Sequence, residues 1–163
     1  MVTISELYEL SENYWKEYFI LFKACAPEVF HTSVIEGIWS PEKILRHLLG
    51  SLIQINNNAL KTEKLESYLN FDFTVNPDDK FSLEQIEKEY YRLNEVIHKG
   101  IAEITEELEN EIIILGKEEI KRGRFLLLLF AHEHSHFGQV TWILKRATNW
   151  THQDMRKIMK EKS

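Results

Sequence analysis

An all-α fold, a bundle of four long helices with a short C-terminal helix, is predicted by three features of this sequence. Apolar residues make up 44% of the 163 and aromatic residues 12%. That suffices for one continuous core in a single domain over residues 1–163. Only 6 Gly and 3 Pro occur, and few segments alternate with period two. Several stretches instead repeat apolar residues at steps of three and four, as a helix with one buried face does.

The first helix is expected over residues 5–24, where Tyr14, Trp15, Tyr18, Phe19 and Phe22 recur at helical spacing, and Pro27 follows its end. A second helix opens at Ser40-Pro41-Glu42. Serine is a good N-cap, and proline suits the first helical position because its missing N–H had no partner there. It should continue through His47, Leu48, Leu52 and Ile55 to about residue 61. Residues 62–80, with Asn70, Asn76, Pro77, Asp78 and Asp79, read as a connection with a short helical turn. Ser82 and Gln85 form a capping-box pattern. It opens a third helix with Ile86, Tyr90, Leu93, Ile97, Ile101, Ile104 and Leu108 on one stripe. A fourth helix should begin between residues 117 and 122 and reach about 146. Its segment Phe125 to Phe130 is apolar all round, which predicts the most buried helix of the bundle. Thr151 to Asp154 caps a short amphipathic tail helix. Four such helices make a bundle.

Charge and cysteine usage narrow the partners. Net charge is −6 with a sequence pI near 5.7, whereas a duplex-binding domain carries a basic stripe. Residues 103–119 hold seven Glu and one Lys, so nucleic acid is not an expected partner. The single cysteine, Cys25, excludes a disulfide within the chain. No apolar run approaches the length of a membrane span, and the N-terminus has no signal-peptide core. A cytoplasmic protein acting on a small molecule is the expectation.

The informative segment is Phe130-Ala-His132-Glu133-His134-Ser135-His136-Phe137-Gly138-Gln139. Residues four apart on a helix sit one above the other, about 5–6 Å between Cβ atoms, so His132 and His136 can reach one ion. Their stripe also holds Phe125, Leu129, Gln139, Val140 and Ile143, which turns both imidazoles toward the core. Buried polar groups need partners, and a shared cation supplies one to each. His134 falls about 200° away around the helix and is excluded as a ligand to the same ion. The same residues satisfy the H-E-x-x-H pattern of a zinc peptidase, with Glu133 as general base. That reading needs a third ligand downstream, where His152, Asp154 and Glu161 lie on the tail in unconvincing settings.

Upstream, His47 stands in Trp39-Ser-Pro-Glu-Lys-Ile-Leu-Arg-His47-Leu-Leu-Gly-Ser51. A Trp-Ser helix start, a His-Leu within the second helix, and a later His-x-x-x-His-x-Gly-Gln together resemble the DinB/YfiT-like metalloproteins over nearly the whole chain. The resemblance implies an up-down-down-up four-helix bundle and one divalent metal, nickel or zinc foremost, held by His47, His132 and His136. It also maps the family's Gly-Gln element onto Gly138 and Gln139. Among such proteins are transferases using low-molecular-weight thiols such as bacillithiol or mycothiol, and homodimers are frequent. One position departs: many members carry Arg after the last ligand, and here it is Phe137. A carried-over anionic substrate does not survive that change.

The expected function is therefore a metal-dependent enzyme, a hydrolase or thiol-dependent transferase. The alternatives are a non-catalytic metal-binding or stress-response module and an H-E-x-x-H metallopeptidase. Glu133 and Gln139 are the candidates for catalysis: Glu133 as proton acceptor, against a surface or supporting place about 100° around the helix from His132, and Gln139 as a group orienting a water. Trp39 is read either as a pocket wall or as a packing staple. Cys25 is expected as a small buried hydrophobe, His31 as a surface loop residue, and His98 at the core edge or in solvent.

Overall fold

A computed structural model describes residues 3–72 and 78–162. Four long helices carry the fold: α1 (Ile4–Ala24), α3 (Pro41–Gln54), α4 (Leu83–Ala102) and α6 (Arg122–Thr148). Short helices fill the joints and the end: α2 (Glu28–His31), α5 (Glu106–Asn110) and α7 (His152–Lys162). The expected all-helical bundle is thus observed, with one small addition, a hairpin of β1 (Ile112–Leu115) and β2 (Glu118–Lys121). Among the described residues no helix is long and apolar enough to cross a membrane.

Local chemistry starts the helices where the sequence indicates. The Thr3 hydroxyl accepts from the Glu6 amide at 3.2 Å while the Glu6 carboxylate accepts from the Thr3 amide at 2.7 Å. Ser82 and Gln85 exchange the equivalent pair at α4. Each reciprocal pair satisfies two amides that a helix start leaves without partners. Ser40 caps α3 with Pro41 in its first turn, and Thr151 caps α7 with Asp154.

α1 packs against α4, α6 and α7, and α3 packs against α4 and α6, so α1 and α3 occupy opposite corners of the bundle. Trp15, Phe19, Tyr90, Phe130 and Phe137 are among the largest fully buried side chains. Trp15 stacks on Tyr90 with centroids 4.6 Å apart and meets Phe137 edge-on at 5.7 Å, two favoured aromatic geometries.

Four expectations are corrected. The second helix does run to residue 60, but it passes into a π-helical turn, Ile55–Leu60, closed by a bond from the Lys61 amide to the Asn56 carbonyl. Asn56 is fully buried and its side-chain amide donates to the Glu63 carbonyl at 2.6 Å, holding the chain reversal beyond the turn. The third helix stops at Ala102, and Thr105 caps the separate α5, so Ile104 and Leu108 leave the α4 stripe. The apolar run on α6 is not buried all round. Leu126 and Phe130 are fully buried, but Leu127 and Leu128 are 48% and 52% exposed. His31 closes α2 rather than sitting in a loop, although it is exposed as expected. The connection does contain a helical turn, Tyr68–Phe71, while Asn76 and Pro77 lie outside the described residues.

The hairpin left no periodic signature in the sequence because its strands are four residues each. Leu115 pairs with Glu118 across Gly116-Lys117. Gly116 has φ +63°, the conformation a two-residue turn with glycine first requires.

At Gly100, α4 approaches the π turn closely. A Cβ there would meet the Thr62 hydroxyl at 2.5 Å and Leu60 Cβ at 2.8 Å. Gly100→Ala is expected to cost about 1–3 kcal/mol through overpacking, despite the better helix propensity of alanine. Thermal unfolding followed by circular dichroism checks this, and an unchanged or raised midpoint would contradict the contact.

Candidate metal centre

His132 and His136 are one turn apart on α6, and their ring centroids are 4.5 Å apart. α3 packs across that face and brings His47 to both, each at a centroid distance of 5.0 Å. His47 Nε2 and His132 Nε2 are 2.8 Å apart, and ligand atoms of all three lie within 4.8 Å of one another. Two nitrogens about 2.0–2.1 Å from one ion are separated by about 2.9–3.4 Å for angles between 90° and tetrahedral. The His47–His132 pair is already close to that spacing. Among the described residues no other group of three His, Cys, Asp or Glu converges in this way.

The electrostatics favour neutral rings. Burial, reinforced by His136 and His132, lowers the pKa of His47 to about 4, with Asp72 pulling the other way. Burial and His136 lower that of His132. A neutral imidazole offers a lone pair to a cation at neutral pH, whereas a protonated one repels it. Gln139 Oε1 accepts from His136 Nδ1 at 2.9 Å. An amide oxygen can only accept, so the ring proton sits on Nδ1 and the Nε2 lone pair is left for a ligand bond. Gln139 thus acts on a ring through its amide oxygen.

Trp39 precedes the α3 cap and closes one side of the triad. Its ring lies 5.4 Å from His47 edge-on and stacks against His136 at 6.0 Å with planes 10° apart. It is 38% exposed and lines a cavity of about 550 Å³ with His136, Gln139 and Trp142. Of the two readings of Trp39, the pocket wall is the one observed. Trp142 was missed by sequence reasoning. The signal was present, since it stands seven residues after Ser135 and three after Gln139, two turns along the same helix face.

Glu133 is neither at the surface nor at the triad. It is fully buried, and its Oε2 accepts from Ser11 of α1 at 2.5 Å. Oε1 has no hydrogen-bond partner. The Trp15 indole is near enough to favour the charged carboxylate, yet its Nε1 stays outside hydrogen-bond geometry. Burial raises the pKa of Glu133 to about 7 against the pull of Ser11 and Trp15. A carboxylate committed to α1 is not positioned as the base of an H-E-x-x-H peptidase. His152, Asp154 and Glu161, the downstream ligands that reading needed, all lie on the exposed face of α7.

The remaining candidates find structural places. His134 faces α1, with Nδ1 donating to the Phe130 carbonyl at 2.7 Å and its ring edge-on to Tyr14 at 5.2 Å. Phe137, where relatives of the resembled family carry Arg, is 1% exposed and stacks between Tyr14 and Tyr18. It therefore belongs to the aromatic packing of the α1–α6 contact. Cys25 is half-buried and donates to the Phe22 carbonyl, and burial pushes its thiol pKa up. His98 is exposed against Tyr8.

No family model matches the chain, and no curated protein matches it. Among solved structures, the crystal structure of a DinB-like protein from Bacillus cereus matches with a TM-score of 0.64 and 18% identity. The match covers 88% of this chain and 92% of that one. At that identity the likeness concerns the fold, and the fold is DinB-like.

Proposed function

We propose that this DinB-like bundle binds one divalent transition metal through His47, His132 and His136 and uses it on a small molecule in the adjoining cavity. The observation that carries the reading is the convergence of three imidazoles from two helices, with His136 shared between the cluster and the cavity wall. Three neutral nitrogens suit nickel or zinc and leave coordination positions open. When bound, such an ion supplies Lewis acidity that acidifies water or a thiol and polarises a carbonyl.

The chain's own residues do the rest. His47 and His132 stay unprotonated at neutral pH because burial opposes their charge. Gln139 fixes the His136 tautomer. Trp39 covers one flank of the triad. We read the activity as a hydrolase or a thiol-dependent transfer on a cytoplasmic small molecule, by a protein that pairs with a second copy. The competing role, an ion that only ties α3 to α6, is supported by the same ligands coming from two helices.

Elemental analysis of the purified chain beside His47→Ala tests the reading. The expected result is about one equivalent of metal in the wild type and less than half of that in His47→Ala. Gln139→Ala should weaken metal affinity by about 10- to 100-fold, as loss of a group that orients a ligand does. No bound metal after growth and refolding with nickel and zinc present, or full occupancy in His47→Ala, sinks it.

A further inference from the structure

The cavity beside the triad has an unusual lining for a site with an ion at its edge. Its lining includes Trp39, Trp142, Ile143 and Gly138, with Ser135, His136 and Gln139 as the polar residues. Among the described residues that line it there is no Lys, Arg, Asp or Glu. The two indoles are 38% and 37% exposed, a large amount of aromatic surface left in contact with solvent. The Arg146 guanidinium lies near, but it sits over the Trp142 ring at 5.5 Å from the centroid and does not line the cavity. The volume, about 550 Å³, is that of a site for a small organic molecule.

These features discriminate between substrate classes. Away from the His136 edge, an anion in this cavity would lose hydration with no Lys or Arg in the wall to replace it. A flexible aliphatic group would gain contact area but not the offset-stacked or edge-on geometries that indoles favour. A flat ring gains both, and its polar substituent can be turned toward Ser135, Gln139 and His136.

We propose that the cavity selects an uncharged substrate with a flat aromatic group, held against Trp39 and Trp142 with a carbonyl or similar polar atom toward His136. The proposal rests on the metal-site reading for the use made of that carbonyl, while the recognition itself belongs to the cavity wall.

The test is a titration of the full-length protein with benzamide, benzoate and cyclohexanecarboxamide, followed by the indole N–H signals in a nitrogen–proton correlation spectrum. Metal-loaded and chelator-treated samples are compared. Benzamide is expected to shift the Trp39 and Trp142 signals and leave buried Trp15 in place. In the chelator-treated sample benzoate, of the same shape but charged, and in both samples cyclohexanecarboxamide, of similar size but not flat, should each bind about tenfold more weakly or worse. Trp142→Leu, which keeps an apolar wall at an exposed position, should weaken benzamide binding by a similar factor. In the chelator-treated sample, benzoate binding as tightly as benzamide overturns the proposal by showing that Arg146 captures an anion. Equal binding of cyclohexanecarboxamide, or no shift at either indole, overturns it as well. Loss of the metal reading would leave the indole shifts intact in the chelator-treated sample, whereas unshifted indoles in a metal-loaded sample fail the cavity proposal alone.

Discussion

Glu42→Ala is expected to destabilise the folded chain by about 3–5 kcal/mol, the cost of breaking a buried ion pair from one side. Arg46 is fully buried and Glu42 is 3% exposed, one turn apart on α3. Arg46 Nη1 donates to Glu42 Oε1 at 3.3 Å and to the Asp79 carbonyl at 2.5 Å. The same carboxylate oxygen accepts from the Phe81 amide at 3.2 Å, and the Phe81 ring lies 4.8 Å from the guanidinium carbon. The pair therefore anchors the chain entering α4 as well as satisfying itself. Removing the carboxylate takes a counter-charge from the buried guanidinium and an acceptor from the Phe81 amide. Replacing both partners with leucine should cost much less than either single change, because an apolar pair carries no charge into the core. Urea unfolding of the two single variants and the double variant measures this. A single-variant loss below about 1 kcal/mol would mean that water reaches the pair.

The second large effect is a pH dependence. Glu133 has a folded-state pKa of about 7 against an ordinary value of 4.5. Below pH 4.5 it is protonated whether the chain is folded or not, and contributes nothing to the difference. As pH rises from 4.5 to 7 the unfolded chain releases the proton and the folded chain retains it, so stability falls. Above pH 7 the full penalty is present, about 3 kcal/mol for a shift of this size. Glu133→Gln keeps an acceptor for Ser11 and removes the ionisation. The variant should gain on the wild type through that interval, by up to about 3 kcal/mol at pH 8. His47 works in the opposite direction, because its lowered pKa costs stability as pH falls through 6.5 toward 4. Comparing variant and wild type at each pH, both chelator-treated, cancels that contribution. A stability difference that does not change between pH 5 and pH 8 would show that Glu133 titrates normally.

What could be read in the sequence divides along the distance over which the physics acts. Capping boxes operate within four residues, so Ser82-Gln85 was legible as a helix start. The pairing of His132 with His136 follows from one helical turn. His47 meets His132 across 85 positions, and no local period encodes such a contact; it came from the family resemblance. Glu133 shows the same limit. Its angle from His132 was readable, but Ser11, which receives it, is 122 positions away. Leu127 and Leu128 mark the reverse failure, since an apolar run has no polar side to show which residues the bundle leaves uncovered. The strands at 112–121 were too short for alternation to stand out.

The π-helical turn at the end of α3 has a consequence for how this gene can vary. A π turn holds one residue more than an α turn of the same rise, so it resembles an insertion preserved in frame. A one-codon deletion ahead of Asn56 would re-phase every later residue of the turn by about 100°. It would swing Asn56 away from Glu63, and Asn57 away from Leu65, whose amide and carbonyl it meets. The same deletion just after Asn57 would leave both asparagines in phase with the helix that bears His47 and move only the exit of the chain. Length variation in this segment is therefore expected on the C-terminal side of the asparagines and not before them.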